Sequence, residues 1–417
     1  MSTLTLRAPA QPTALPPRPQ LAQWRQELAG HFPGLSPVFV ALLALWSFGI
    51  ILARNCGLDT VSLHIARLQR QRTNTVRQRL REFYQEAPAK AGAKRGGKRR
   101  DFDVTSCFVP LLRWLLSLWP CTRLALALDV TNLGSKFHVL CVSVLYGGIG
   151  IPVAWKILPG NQKKCWNDVW CELLHTLQPA IGPEWTVAVL TDRGLESTRL
   201  FQEIVDVGWH PLMRVKAAGT FRPVGWMHWH KMAWFVPRVG DRFAAVGVAY
   251  KSADGPLACT LLACWEPGHE DPWLILTDLP VAASSPSWYA FRAWIEQGFK
   301  MIKSGGLQWQ RTRMTKAERA ERVWLAIAVS MLWLVVLGAA VEADERRETL
   351  GKVCTAALPH PVRRHRLFLL GLAEWQAGWQ SGGLLALGWL EPEVWSDTWH
   401  DYRTSTEEEF CSKELYP

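Results

Sequence analysis

Residues 124–132, LALALDVTN, decide the fold class, because five apolar residues are followed directly by a carboxylate. A short apolar run of this kind is typical of a strand that is buried on both faces. Two more strand-like runs, FHVLCVSVLY and IPVAWKIL, follow after turn signals at Asn132-Leu133-Gly134 and Gly147-Gly148. Three consecutive strands with short turns predict an antiparallel meander.

The next part of the chain extends this meander into a mixed sheet. A helical pattern runs from about Trp166 to Leu177, and the buried run TVAVL after it leads to Asp192. This β-β-β-α-β order predicts an α/β fold with a ribonuclease H-like core. Asp129, at the end of the first strand, and Asp192 would both leave the sheet at one edge, where carboxylates suit Mg²⁺. An Asp after a strand is more often a turn or cap residue, so neither aspartate alone specifies a metal site.

The composition is that of a folded protein with a polyanionic partner. The 417 residues are 49% hydrophobic and 20% charged, and the formal net charge is +11. Such a charge favours nucleic acid or an anionic membrane surface. The ten cysteines form no C-x-x-C pair and no cluster at zinc spacing. A reduced, cytoplasmic chain is therefore expected.

The N-terminal part is expected to be a helical DNA-binding domain followed by a basic tether. Residues 1–20 are rich in Pro and Ala without a secretion-signal pattern, and are expected to be a disordered leader. Residues 21–86 have helical periodicity, and residues 87–105 are a cationic linker. The linker is either a solubilising tether or a phosphate contact, and the second is favoured because cations near DNA release condensed counterions. The linker residues predicted to bind DNA are Lys94, Arg95, Lys98, Arg99 and Arg100.

The rest of the chain divides into four parts. Residues 106–218 and 286–343 are expected to form the two parts of the ribonuclease H-like core. Between them, residues 219–285 contain strand-like runs such as RFAAVGVAY and predict an inserted all-β subdomain. Residues 344–417 are a tryptophan-rich C-terminal region without an assignable pattern.

One apolar stretch permits a membrane interpretation. Residues 323–341, VWLAIAVSMLWLVVLGAAV, exceed the length of about 18 residues that a membrane span needs. Residues 37–52 come close to it. A helix buried in a large core has the same pattern, and the soluble α/β character of the remaining sequence favours the core helix.

The segment WYAFRAWIEQGFKMIKSGG carries the most specific pattern. At about 100° per residue, Tyr289, Arg292, Glu296 and Lys303 fall within about 60° of one another around a helix. Apolar residues form another face that would anchor this helix on a core, so the Glu296 carboxylate would be held rigidly. The plain interpretation is an amphipathic helix with an Arg292–Glu296 ion pair, usually worth about 0.2–0.5 kcal/mol.

On these residues the chain resembles bacterial transposases of the insertion sequence four family. The family signature Y-x2-R-x3-E-x6-K is matched by Tyr289, Arg292, Glu296 and Lys303. The two aspartate motifs are matched by Asp129-Val130-Thr131 and Asp192-Arg193-Gly194. The resemblance covers roughly residues 124–306 and includes the β insertion between the second aspartate and the glutamate.

The resemblance implies a DDE transposase, which cleaves DNA at transposon ends and joins them to target DNA by a cut-and-paste route. Asp129, Asp192 and Glu296 would be catalytic and would bind two Mg²⁺ ions, with Mn²⁺ able to substitute. The DNA backbone near the cut would be contacted by Tyr289, Arg292 and Lys303.

The implied partners are double-stranded DNA, both as terminal inverted repeats and as target, and a second copy of the chain. The C-terminal region would contribute to this homodimer. The protein would act in the bacterial cytoplasm and associate with the nucleoid when bound to DNA.

Members of this family commonly flip a base near the transposon end onto an aromatic side chain. Such stacking contributes about 1–3 kcal/mol per base, and core packing is the alternative role for each candidate. The candidates are Trp226, Trp229, Trp234 and Trp288.

Other functions stay open on the sequence alone. A metal-dependent nuclease without strand transfer would use the same carboxylates. An inactive, transposase-derived DNA-binding protein would be expected to lack one of them, and all three are present.

Overall fold

The structure, a computed structural model, describes residues 19–90, 100–162, 166–251, 255–352, 366–382, 388–392 and 395. The predicted leader therefore lies almost wholly outside the described residues. So do Lys94, Arg95, Lys98 and Arg99 of the predicted DNA-binding linker.

The described residues contain one large sheet. Its strands are β1 (Arg123–Leu133), β2 (Phe137–Tyr146), β3 (Ile149–Pro159), β4 (Thr186–Thr191), β5 (His210–Arg214), β6 (Thr220–Pro223), β7 (His230–Lys231), β8 (Arg242–Ala249), β9 (Leu257–Cys264) and β10 (Trp273–Thr277). Their order is β3-β2-β1-β4-β5-β10-β9-β8-β6-β7. Strands β1, β2 and β3 pair antiparallel, which confirms the predicted meander.

Helices cover the sheet and form the N-terminal part. They are α1 (Pro19–His31), α2 (Pro37–Ala53), α3 (Leu58–Gln69), α4 (Thr73–Tyr84), α5 (Phe108–Ser117), α6 (Asn167–Leu177), α7 (Thr198–Asp206), α8 (Ala293–Lys300), α9 (Ala317–Lys352) and α10 (Arg366–Ser381). Local sequence sets the boundaries where caps are present. Ser36 caps α2 and Pro37 opens it, while Ser197 accepts the Leu200 N–H at the start of α7. The mixed α/β class is confirmed.

The centre of the sheet is parallel and the predicted insertion continues it. Strand β4 runs parallel to both β1 and β5, with α7 as the crossover between β4 and β5. Strand β10 pairs antiparallel with β5 through Ile275 opposite Arg214. The strands predicted between residues 219 and 285 are thus present and extend the same sheet. Their treatment as a subdomain stays a prediction.

Helices α1 to α4 occupy the region predicted as a DNA-binding domain. Their buried side chains belong to the same continuous hydrophobic core as the sheet. Trp24 of α1 stacks on Trp333 of α9 with 3.6 Å between ring centroids, and Arg319 of α9 binds Glu86 just after α4. The N-terminal helices are therefore held on α9, and the domain boundary stays a prediction.

Helix α9 contains the apolar stretch with two interpretations. By length and composition it is able to cross a membrane, yet nearly all of its most apolar part is buried inside the protein. On the sheet side, its Glu321 accepts the Ile157 N–H of β3 at 2.9 Å. The apolar run at residues 37–52 forms α2, which packs on α9. This burial fits a core helix of a large protein.

Two glycines let α9 and α10 approach closely. A Cβ atom at Gly338 would collide with the carbonyl oxygen of Leu367, and one at Gly371 would collide with that of Leu334. Backbone atoms cannot move aside as a flexible side chain does. The crossing of these two helices therefore depends on both glycines.

We expect Gly338→Ala to lower the free energy of unfolding by about 1–3 kcal/mol, the usual cost of overpacking a close contact. Chemical denaturation measures this loss. The matched control is Gly30→Ala in the last turn of α1, where a Cβ meets nothing within 4 Å, so the change should be neutral or stabilising by less than about 1 kcal/mol. Equal effects at the two positions would contradict the close helix crossing.

Candidate active site

Asp129 is positioned by a difference in strand length. The parallel register of β1 and β4 ends at Leu128 opposite Thr191, whereas β1 itself continues to Leu133. The expectation that Asp129 ends its strand is therefore wrong, because the antiparallel pairing with β2 prolongs β1. Asp129 is instead the first residue of β1 beyond its pairing with β4, at the carboxyl edge of the parallel pair. Burial raises the pKa of its carboxyl group, and the nearby Arg292 opposes this rise.

Asp192 follows β4 directly at the same edge. Its Oδ1 accepts the Arg193 N–H at 2.7 Å and caps the short 3-10 turn Arg193–Leu195. Asp192 therefore has the turn role considered for it in the sequence. The cap uses only Oδ1. The Oδ2 atom lies 3.8 Å from the Arg292 guanidinium.

The signature segment is less regular than the expected single helix. Tyr289 and Arg292 lie in a 3-10 segment, Pro286–Arg292, which Ser285 caps. Glu296 lies in α8, and Lys303 lies in a π segment, Met301–Gly305, with non-helical backbone at Lys303 itself. Side chains at i and i+3 eclipse in a 3-10 turn, so the four residues do not form one α-helical stripe.

The three carboxylates meet on one guanidinium. Arg292 Nη2 lies 3.0 Å from Asp129 Oδ2, and Arg292 Nη1 lies 2.5 Å from Glu296 Oε1. Together with the Asp192 contact, this places three negative charges around one positive charge. The Arg292 side chain is only 10% exposed, and its buried Nε has no hydrogen-bond partner among the described residues. The predicted i,i+4 pair of Arg292 and Glu296 is therefore one part of a larger charge cluster.

The donor set suits a divalent cation, because three carboxylates from separate parts of the chain reach a common cationic group. Hard oxygen ligands of this kind are the ones that Mg²⁺ prefers. Within the described part of the chain, no three Asp, Glu, His or Cys side chains are close enough to hold one ion as they stand. The guanidinium of Arg292 is the cation that the carboxylates share in this structure.

Two glycines bring the glutamate helix onto the sheet. A Cβ at Gly298 of α8 would collide with the carbonyl oxygen of Gly150 in β3, and a Cβ at Gly150 would lie 2.8 Å from the Cα of Ile295. Sequence reasoning missed this pair. The available signal was a glycine inside a helical pattern, which often marks close backbone approach.

Tyr289 and Trp288 are buried beside this cluster. The Tyr289 hydroxyl donates to the carbonyl of Thr191 at 3.2 Å, and its ring packs edge-on against Trp273. Trp288 packs against Trp395 with 4.8 Å between ring centroids. These contacts favour positioning and packing in this structure. The predicted DNA contact of Tyr289 and base stacking on Trp288 stay predictions.

The other predicted DNA-binding residues differ in their surroundings. Burial lowers the pKa of the Lys303 amino group, and the charge of Asp129 opposes this effect. Arg100 is exposed, and its carbonyl accepts a hydrogen bond from Lys90. Their contacts with DNA stay predictions.

The tryptophans of the insertion are partly exposed. Trp234 stacks on His230 with 4.0 Å between ring centroids, and the Arg222 guanidinium lies 5.0 Å from the centre of the Trp229 ring. Trp226 packs edge-on against Trp234. An aromatic patch of this kind is compatible with base stacking, which stays a prediction for all three.

Residues 134–333 match the family model of the transposase DDE domain. The match includes Asp192 and Glu296 and begins after Asp129. It supports a DDE transposase and an enzyme that acts on DNA, in agreement with the charge cluster described above. It does not distinguish among families of such transposases, so the insertion sequence four assignment stays a prediction. No curated protein matches the chain.

We expect Tyr289→Phe to lower the free energy of unfolding by about 1 kcal/mol, because it leaves the Thr191 carbonyl without its donor. A hydroxyl that keeps this bond in the DNA complex makes no phosphate contact, so duplex DNA affinity, measured by fluorescence anisotropy, would then change by less than about twofold. A large loss of affinity with unchanged stability would show instead that the hydroxyl turns outward to DNA.

Proposed function

We propose that this protein is a cut-and-paste DNA transposase in which Asp129, Asp192 and Glu296 form the catalytic carboxylate set. The observation that carries the proposal is their convergence from β1, β4 and α8 on the single Arg292 guanidinium. The match of residues 134–333 to the transposase DDE domain supports it independently.

In this proposal the three carboxylates hold two Mg²⁺ ions, for which Mn²⁺ substitutes. When bound, such ions activate a water or a DNA 3′-hydroxyl and stabilise the leaving oxygen of an in-line displacement. The partial burial of Asp129, with 20% of its side chain exposed, strengthens charge interactions there by lowering the local dielectric. Asp129 thus provides the most sheltered ligand of the set.

The cations around the carboxylates would position the DNA. Arg292 has the planar fork that binds a phosphate through two hydrogen bonds, and Lys303 offers a point charge. Arg292 contacts all three acids that would hold the metal, and the charge of Asp129 acts on Lys303. A phosphate drawn to Arg292 would therefore approach the reacting centre directly.

The net charge of +11 supports a DNA partner. We propose that this DNA comprises terminal inverted repeats and target duplex, and that two copies of the chain act together in the bacterial cytoplasm. The chief alternative is a metal-dependent nuclease with the same carboxylates but no strand transfer. The products of the reaction distinguish the two.

We expect Glu296→Gln to abolish Mg²⁺-dependent cleavage of a supercoiled plasmid that carries the presumed element ends. The rate should fall by more than about 100-fold, beyond the 10- to 100-fold typical of residues that only support metal ligands. DNA binding should persist, because an amide of the same shape replaces a carboxylate that faces the site. Gel analysis of the plasmid and a binding assay measure both quantities.

The matched control is Glu318→Gln, which neutralises an exposed carboxylate at the start of α9. It should cleave at the native rate. Cleavage by Glu296→Gln at the native rate would contradict the carboxylate assignment. Cleavage by the native protein without joined products would instead identify the nuclease alternative.

We expect Arg292→Gln to bind Mn²⁺ about tenfold more tightly than the native protein when no DNA is present. The guanidinium competes with the ion for three carboxylates, and hydrogen bonds to charged groups are worth roughly 1.5–3 kcal/mol, where 1.4 kcal/mol is tenfold. Titration followed by electron paramagnetic resonance measures free Mn²⁺. Addition of duplex DNA should raise the affinity of the native protein more than that of the variant.

Arg193→Gln is the control, because Arg193 adjoins Asp192 but binds Asp271 at 2.9 Å. Because the Arg193–Asp271 pair is exposed, this substitution should alter Mn²⁺ affinity by less than about twofold. Weaker Mn²⁺ binding by Arg292→Gln would mean that Arg292 organises the carboxylates for the ion rather than competing with it.

A further inference from the structure

A second basic site lies away from the carboxylates, in a cleft of about 540 Å³ between α3, α4 and the segment 308–316. Five cationic side chains line this cleft, and Asp59 is the acidic residue among its lining residues. The cations are Arg77, Arg311, Arg313, Lys316 and Arg319. The cleft therefore carries a large excess of positive charge.

Three of these cations are available to a ligand. Arg77 is paired with Asp59 at 2.6 Å, and Arg319 is paired with Glu86. By contrast, the remaining three are exposed and take part in no ion pair within the described part of the chain. They are Arg311, Arg313 and Lys316. Exposed cations that converge on a concave surface attract a polyanion more strongly than scattered ones.

The segment that carries these cations is held firmly. Gln308 and Arg313 have positive φ angles of 54° and 53°, a conformation that costs a non-glycine residue energy and persists only where surrounding contacts impose it. Trp309 between them is fully buried. Asn55 donates to the Gln308 side chain at 3.3 Å and ties the segment to the turn before α3.

The opposite wall of the cleft carries both the start of a helix and a carboxylate, Asp59. Helix α3 begins there, and its N-cap, Gly57, provides no side-chain cap. The first N–H groups of a helix have no partner within it, and they carry the positive end of the helix dipole. The cations and the first residues of α3 therefore line the same cleft.

We propose that this cleft binds the phosphodiester backbone of duplex DNA, as a contact separate from the carboxylate cluster. The inference rests on the proposed function, since it takes DNA as the substrate. A short stretch of chain connects the two sites. The Gln308 N–H donates to the carbonyl of Lys303 at 2.7 Å, and Lys303 belongs to the segment that directly follows α8, the helix of Glu296. A duplex that spans both sites would be bound by α3 and α4 as well as by the segment that carries Glu296.

The test is the double variant Arg311→Gln/Arg313→Gln, with affinity for a short random-sequence duplex measured by anisotropy without divalent metal at several salt concentrations. We expect affinity to fall about tenfold or more. The slope of log affinity against log salt should become shallower by about 1.8, since each lost phosphate contact removes about 0.9. The double variant Arg311→Lys/Arg313→Lys, which retains both charges, should keep most of the native affinity and slope.

The control of equal charge is Arg123→Gln/Arg238→Gln, two exposed arginines outside the cleft; it should change the slope by less than half as much. Native slope and affinity in the cleft variant would overturn the proposal, while the proposed function would still stand on Glu296→Gln. Displacement of DNA by polyglutamate at equal charge would also overturn it, in favour of an acidic protein partner. Absence of DNA binding by the native protein would overturn both this proposal and the proposed function.

Discussion

One buried guanidinium holds together three carboxylates that are far apart in the chain. Asp129, Asp192 and Glu296 would repel one another at the edge of the sheet, and Arg292 offsets this repulsion through contacts with all three. Removal of a single partner from a buried charge cluster is costly, because the remaining charges lose their compensation. The positions of β1, β4 and α8 at this edge therefore depend on a cation being present. Arg292 supplies it here, and a divalent ion is suited to the same electrostatic task.

The architecture supplies the geometry that this interaction needs. Parallel pairing of β1 with β4 brings two aspartates to one edge, as expected for strands whose carboxyl ends coincide. The glutamate arrives on a helix that crosses β3 where Gly298 meets Gly150. A larger side chain at either position would push α8 outward and separate Glu296 from the aspartates. The charge cluster is thus sensitive to packing on the face of the sheet as well as to the residues that carry charge.

The sequence predicted the parts of this arrangement that depend on local pattern. Continuous apolar runs and glycine turns predicted the meander from β1 to β3, and spacing alone placed Arg292 and Glu296 together. It could not predict that the strands after residue 219 join the same sheet, because the pairing of β5 with β10 links residues far apart in the chain. It also predicted a regular helix where a 3-10 turn, α8 and a π segment follow one another. Backbone irregularity of this kind arises from tertiary contacts, such as the Tyr289 bond to Thr191, which periodicity does not encode.

The irregular backbone at the end of the signature segment sets the direction in which the chain continues. An α-helix continued beyond Lys303 would carry the chain straight on, whereas the non-helical backbone at Lys303 and the strained positions at Gln308 and Arg313 turn it toward α3. Strained backbone of this kind often marks functional positions, where surrounding contacts maintain it. Here the surrounding contacts include the bond from Asn55, on the N-terminal helices, to Gln308. This bond therefore links the turn between α2 and α3 to the segment that leads back to Lys303.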